Sequence, residues 1–317
     1  MLLNWCFLGG VKMRKELKAS IMLFVTAIIW GLAFVAQAKG MDHLGPLSFT
    51  AARSFVAVVF LYLTYKFFMM KSKTYREEKF DMKKTLEGGI VCGLAFTIPI
   101  NLQQVSLIYT SAAKASFLTA LYIVFIPLIG LFFGRRPSIK IILCIFLAMV
   151  GTYLLSIKGG FSINKGDLIV ILSALIFAIH ILLLTKYSRD TNAVILSMIQ
   201  FAVCGIISLV GALVLEDINM DGILKSYVTI LYVGILSSGV GFTIQLMALK
   251  DLDPVVASMI CSLESVFGAL FGWMILSQKM TEREIFGAII IFVATLLAQV
   301  PIEAYLEKKL KRKLKRG

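Results

Sequence analysis

The sequence predicts an all-α integral membrane protein with ten transmembrane helices built as two inverted five-helix repeats. Composition is the first reason. The 317 residues are 59% hydrophobic with a mean hydropathy of +0.90, beyond what a soluble domain of this size carries. An internal duplication is the second. Residues 94–130 lie over 236–272 at an offset of 142 without a gap, with ten identities that include Gln103/Gln245, Ser116/Ser258, Phe125/Phe267 and Gly130/Gly272. Shared Leu and Val are cheap coincidences in apolar sequence, whereas shared Gln, Ser, Phe and Gly are not. The third reason is the placement of charge.

Ten apolar runs fall at 19–38, 47–69, 88–108, 112–134, 139–157, 168–186, 194–215, 226–249, 254–277 and 285–301. Each approaches the roughly 20 residues that a hydrocarbon layer of about 30 Å demands of a helix. None alternates as the strands of a membrane barrel do. With both termini cytoplasmic, 24 of the 32 Lys and Arg lie in inside segments or at inner span ends, seven lie outside or at outer span ends, and Arg53 alone sits deep within a span. That bias is the positive-inside rule. It accounts for the net charge of +14 without a nucleic-acid partner. The chain thus divides into a cytoplasmic N-terminal tail (1–18), a first repeat (19–157), an extracytoplasmic connection (158–167), a second repeat (168–301) and a basic cytoplasmic tail (302–317) suited to anionic lipid headgroups.

The duplication reaches further at an offset of 147, which pairs Ala27 with Ala174, Trp30 with Phe177, Lys39 with Lys186 and Arg53 with Gln200. Each copy holds five spans. Five is odd, so the copies insert upside down relative to each other, an architecture typical of secondary transporters. Inversion sets equivalent residues at mirrored depths. Gln103 is expected near the outer surface and Gln245 near the inner one. Tyr122 and Glu264 are equivalent and each lies about ten residues into its helix, so they are the pair expected at the midplane.

In chain order, span 1 opens after an apolar stretch (1–11) too short to cross, with Met13 as an alternative start. Ala36-Gln37-Ala38 resembles a signal-peptidase site, yet the repeat needs this helix, so it is read as uncleaved. Trp30, Phe34 and Gln37 share a face that could floor an aromatic-walled site or serve packing. Arg53 in span 2 either meets a substrate carboxylate or pairs structurally, and its stem can snorkel. Span 3 presents Gly89, Gly93, Thr97, Asn101 and Gln104 on one face. The glycines read as packing, while Asn101 and Gln104 are cavity candidates. Lys114 at the head of span 4 is expected to snorkel into headgroups, with attraction of the substrate as the other reading.

Pro99 in span 3 and Pro127 in span 4 are hinge candidates, with a packed kink as the alternative. His180 in span 6 is either a proton relay or a satisfied packing residue. Span 8 carries the cavity candidate Gln245 among small residues. Glu264 in span 9 costs about 2.5–3.5 kcal/mol at the bilayer centre, so it needs a reason. Binding an ammonium group or carrying a proton is one reason, and fixing helix packing as a neutral acid is the other. Gly268-x-x-x-Gly272 reads as packing first. The five cysteines are scattered without a metal-ligand spacing or a loop staple, so no metal and no cofactor is expected.

Trp30-Gly31-Leu32-Ala33-Phe34, Thr110-Ser111-Ala112, Phe117-Leu118-Thr119-Ala120-Leu121-Tyr122 and Pro127 together resemble the drug/metabolite transporter superfamily, specifically its EamA-type ten-helix members, over nearly the whole chain. The resemblance implies a plasma-membrane carrier that moves small metabolites through a central cavity by alternating access. Members often carry Gly-Glu at the ends of the fourth and ninth helices, where this chain has Gly134-Arg135 and Ser277-Gln278. That departure weakens any transfer of a coupling ion.

The expected function is therefore secondary transport of a small organic metabolite, an amino acid or related compound, with export as one direction. Its alternatives are a flippase for a lipid-linked compound and a membrane-embedded enzyme. The enzyme reading lacks a His, Asp or Glu cluster, a nucleophile elbow or a phosphate loop. A small-molecule solute and membrane lipids are the expected partners, and nucleic acid is not. Proton coupling and a homodimer stay open.

Overall fold

A computed structural model describes residues 2–134, 136–156, 164–218, 220–276 and 281–299, with side chains from Arg14 onward. The basic tail, most of the 158–167 connection, and Arg135, Ser277 and Gln278 lie outside the described residues. No strand occurs among the described residues. Span 1 is part of one helix, Leu2–Gly40, and spans 2 and 3 are Pro46–Lys71 and Met82–Ser106. Spans 5, 6, 7 and 10 are Ile139–Ser156, Lys165–Tyr187, Ala193–Leu215 and Glu282–Gln299. Among the described residues, eight segments are long and apolar enough to cross a membrane. Span 5 is shorter in its apolar part, and span 10 opens on Glu282, Arg283 and Glu284, so each is weaker by composition alone.

Helix starts are fixed by side chains that accept from otherwise orphaned backbone N–H groups. Ser111 accepts from Lys114 N, Asn192 from Ile195 N and Asp253 from Val255 N. Asn164 and Asp167 form a reciprocal capping box. Span 2 begins at Gly45 without a side-chain cap of its own. Its cap comes from the other half of the chain. The Glu216 carboxylate at the end of span 7 accepts from Leu47 N at 2.8 Å and Ser48 N at 2.9 Å.

Helix neighbours repeat across the two halves. Span 5 packs on span 10 and span 2 on span 7, each the counterpart of the other. Span 3 lies against spans 6 and 7, and its counterpart span 8 lies against spans 1 and 2. Span 1 packs on span 9 as span 6 packs on span 4. This is the neighbour scheme of a two-fold axis relating the repeats. Large apolar side chains such as Val59, Leu63, Phe146, Val214 and Phe286 stand exposed around the bundle, as a lipid-facing surface requires.

Spans 4 and 9 are the broken ones, at the same place. Span 4 consists of Ala112–Thr119 and Tyr122–Phe132, and span 9 of Pro254–Cys261 and Glu264–Leu276. The backbone bonds around the two breaks match one for one. Leu121 N donates to Leu118 O as Leu263 N does to Ile260 O. Ile123 N donates to Ala120 O as Ser265 N does to Ser262 O, and Phe125 N to Leu121 O as Phe267 N to Leu263 O. Pro99 and Pro127 lie inside uninterrupted helices, so the breaks are not set by proline.

Candidate functional site

A cavity lies where the two repeats meet. Span 1 contributes Trp30, Phe34 and Gln37, span 2 contributes Arg53, and span 3 contributes Ile100 and Gln103. The second half contributes Phe177 and His180 from span 6, Phe242 and Gln245 from span 8, and Glu264 from span 9. Thr119 and Tyr122 of span 4 complete the wall. Its volume is about 50 Å³. One water occupies roughly 10–15 Å³ on this measure, so the space admits a few waters and no metabolite until helices part. The polar lining is buried. Arg53 is 2% exposed, His180 0% and Glu264 4%.

Tyr122 and Glu264 touch across the repeat axis, the Tyr122 hydroxyl donating to Glu264 Oε1 at 3.2 Å. Each stands just past the break of its helix. Residues related by a two-fold axis can touch only beside that axis, so this pair marks it. Around it, polar contacts also come in equivalent sets. Gln103 Nε2 donates to Thr119 Oγ1 at 3.0 Å, while Gln245 lies against Cys261, the residue equivalent to Thr119. Arg53 Nη1 donates to Gln37 Oε1 at 3.1 Å, while its counterpart Gln200 meets His180 Nε2 at 3.0 Å.

The aromatic wall is continuous. Trp30 and Phe242 stack at 4.6 Å and 45°, and Phe96 contacts Phe177, His180, Phe201 and Phe242. Trp30 Nε1 donates to Ser237 O at 3.2 Å, within the π-helical stretch Tyr232–Gly241. π-Geometry is rare and concentrates at functional sites. A Cβ on Gly241 would stand 2.7 Å from Trp30 Nε1, so glycine lets the indole approach.

Eight sequence candidates line this cavity: Trp30, Phe34, Gln37, Arg53, Tyr122, His180, Gln245 and Glu264. Asn101 and Gln104 do not. Asn101 Nδ2 donates to Ser208 Oγ of span 7 at 2.8 Å, and Gln104 Nε2 donates to Gln37 O at 3.4 Å. The reason is rotational. The face carrying Gly89, Gly93, Thr97 and Asn101 packs on span 7, where a Cβ on Gly89 would stand 2.6 Å from Ile199 Cβ. Ile100 and Gln103, three residues apart, hold the neighbouring face toward the cavity. Gln103 and Gln245 both reach the cavity. Gln103 bonds to Thr119, seven residues beyond the start of span 4. The Gln103/Gln245 identity was the available signal for this pair.

Lys114 does not turn to headgroups. Its ammonium meets Asp167 Oδ2 at 2.5 Å, with side chains 17% and 1% exposed. Asp167 also accepts from Thr110 Oγ1 at 2.9 Å and from Asn164 N at 2.7 Å. This cluster joins the head of span 4 to the head of span 6, one from each half.

Comparison with known proteins fits this geometry. The EamA-like transporter family matches residues 17–157 and 164–299, two stretches that cover most of the chain. The chain belongs to the EamA-like transporter family. Among relatives of this EamA-like chain, an "Uncharacterized transporter" of Archaeoglobus fulgidus (strain ATCC 49558 / DSM 4304 / JCM 9628 / NBRC 100126 / VC-16) is 30% identical over 298 residues, 93% of this chain and 90% of the relative. "Uncharacterized transporter YoaV" of Bacillus subtilis (strain 168) is 21% identical over 280 residues, 86% of this chain and 94% of its own length. A crystal structure at 15% identity superimposes with a TM-score of 0.71 over 89% of this chain and 96% of that one, which speaks for the fold alone. The protein is a multi-pass membrane transporter of this family.

Proposed function

We propose that this EamA-like protein is a secondary carrier in the plasma membrane. It moves a small organic metabolite, an amino acid or related compound, by alternating access with both termini in the cytoplasm. The two repeats, 19–157 and 168–301, rock about the axis marked by Tyr122 and Glu264, bending at the paired breaks of spans 4 and 9 and not at Pro99 or Pro127. Arg53 receives the solute carboxylate. Glu264 carries the coupled proton, and Tyr122 holds it when the solute is absent.

The observation that carries this reading is a buried guanidinium in the wall of an enclosed cavity. Arg53 Nη2 has no hydrogen-bond partner, and its other amino group meets a neutral amide. A buried cation without an anion is expensive, and an anionic solute removes the expense.

The test is flux into liposomes holding the purified protein, using labelled amino acids with and without an acidic exterior. Saturable uptake that Arg53→Ala abolishes is the expected result. Absence of protein-dependent flux for every amino acid, with or without the gradient, rejects the reading. Cysteine labelling in cells checks the orientation, which fails if the two termini react from opposite sides.

A further inference from the structure

The orphaned polar atoms of the cavity sort by chemistry and by side. Among described residues, three cavity-lining side chains bury a polar atom without a partner: Arg53 Nη2, His180 Nδ1 and Gln245 Oε1. Arg53 Nη2 can only donate. Gln245 Oε1 can only accept. His180 Nε2 faces Gln200 Oε1, an acceptor, so the ring proton sits on Nε2 and leaves Nδ1 a bare acceptor. Thr50, Gln104, Ser116 and Thr243 hold orphaned atoms too, but their side chains are not part of the cavity wall.

The repeat places donor and acceptors at opposite ends. Arg53 is the eighth residue of Pro46–Lys71, and its counterpart Gln200 is the eighth of Ala193–Leu215. Each stands seven residues, about 10 Å of rise, inside its own helix start. Those starts face opposite sides of a layer of about 30 Å, which leaves the two levels about 10 Å apart. Gln37 and Gln103 go with Arg53. His180 and Gln245 go with Gln200. Glu264 and Tyr122 stand between, flanked by the rings of Trp30, Phe177 and Phe242.

We infer that the solute is bipolar, with a carboxylate or similar anionic acceptor at one end and an N–H donor at the other, the two held apart by an apolar segment. The inference rests on the carrier reading and narrows it. An α-amino acid carries both groups on one carbon and leaves one pole unfilled. An ω-amino carboxylate fills both. The single orphaned donor takes the carboxylate, and the two orphaned acceptors take the amine.

The experiment is a binding ladder on the purified full-length protein, by calorimetry in detergent. The probes run from glycine to 8-aminooctanoate, each paired with the straight-chain carboxylate of equal length lacking the amine. We expect an affinity maximum at intermediate length, about tenfold or more above both glycine and the matched carboxylate. His180→Phe and Gln245→Leu should remove that excess while sparing the plain carboxylate, and Arg53→Lys should weaken both. Equal binding of amine and amine-free probes at every length overturns the inference, as does best binding by glycine, or no binding at all. So does an equal loss for both probe types in His180→Phe. The wild-type ladder needs no variant to fold. Amino-acid flux in liposomes beside a ladder without a maximum leaves the carrier standing and rejects only the bipolar solute.

Discussion

Tyr122 and Glu264 are 142 residues apart, the repeat offset, and their side chains form a hydrogen bond of 3.2 Å. The duplication has therefore diverged at a place where equivalent residues of the two copies touch. One copy kept a phenol and the other a carboxyl. Two identical acids there would repel and two phenols would leave no strong acceptor, so the asymmetry is what allows a stable contact.

Glu264→Gln should keep the fold and solute binding but remove the response of flux to a pH gradient. Glutamine retains an acceptor for Tyr122 and loses only the exchangeable proton. In liposomes, exchange of labelled for unlabelled solute should persist, while accumulation driven by a gradient should fall to the gradient-free level. Gradient-driven accumulation equal to wild type would make Glu264 a packing residue.

Tyr122→Phe separates holding from carrying. It deletes one buried hydrogen bond and leaves Glu264 without its donor, a loss of about 1–3 kcal/mol. The melting temperature should drop by a few degrees, with gradient coupling altered but present. An unchanged melting temperature would show that the pair contributes nothing to stability.

How legible was this arrangement beforehand? The spans, the inversion and the Tyr122/Glu264 meeting follow from run length, charge and offset, because burial in lipid and symmetry leave few alternatives. Side-chain direction was harder. Asn101 looked like a cavity residue because it shares a stripe with small residues, but small residues mark close helix approach, and that stripe packs on span 7. Lys114 looked like a headgroup anchor because it opens span 4 near the expected outer surface, and its partner Asp167 lies 53 residues away in the sequence. The helix breaks carry no proline or glycine at 120–121 or 262–263, so no local propensity announces them.

Gly31 and Gly268 face each other where spans 1 and 9 cross, but they are not equivalent in tolerance. A Cβ on Gly31 would stand 2.7 Å from Gly268 N and 2.9 Å from Glu264 O, both backbone atoms that cannot swing away. A Cβ on Gly268 would meet its nearest neighbour, Gly31 O, at an ordinary 3.4 Å. Gly31→Ala should thus cost about 1–3 kcal/mol through overpacking, while Gly268→Ala should melt within a degree or two of wild type. Equal effects of the two would mean that the crossing is looser than these distances.

Asp167 is 1% exposed and concentrates four contacts: its carboxylate accepts from the Lys114 ammonium, the Thr110 hydroxyl and Asn164 N, and its backbone N donates to Asn164 Oδ1. Removing one partner of a buried pair leaves an uncompensated charge, typically about 3–5 kcal/mol. Asp167→Asn keeps the shape and most hydrogen bonds but strands the Lys114 charge, so it should lower the melting temperature markedly. Lys114 at 17% exposure can turn outward, so Lys114→Met strands the better-buried partner and should do at least as much damage. The double variant Lys114→Met with Asp167→Asn should recover part of the loss, because neither charge is then left alone. Strict additivity of the two single losses would mean that the ion pair is incidental and that Asp167 acts only as the cap of span 6.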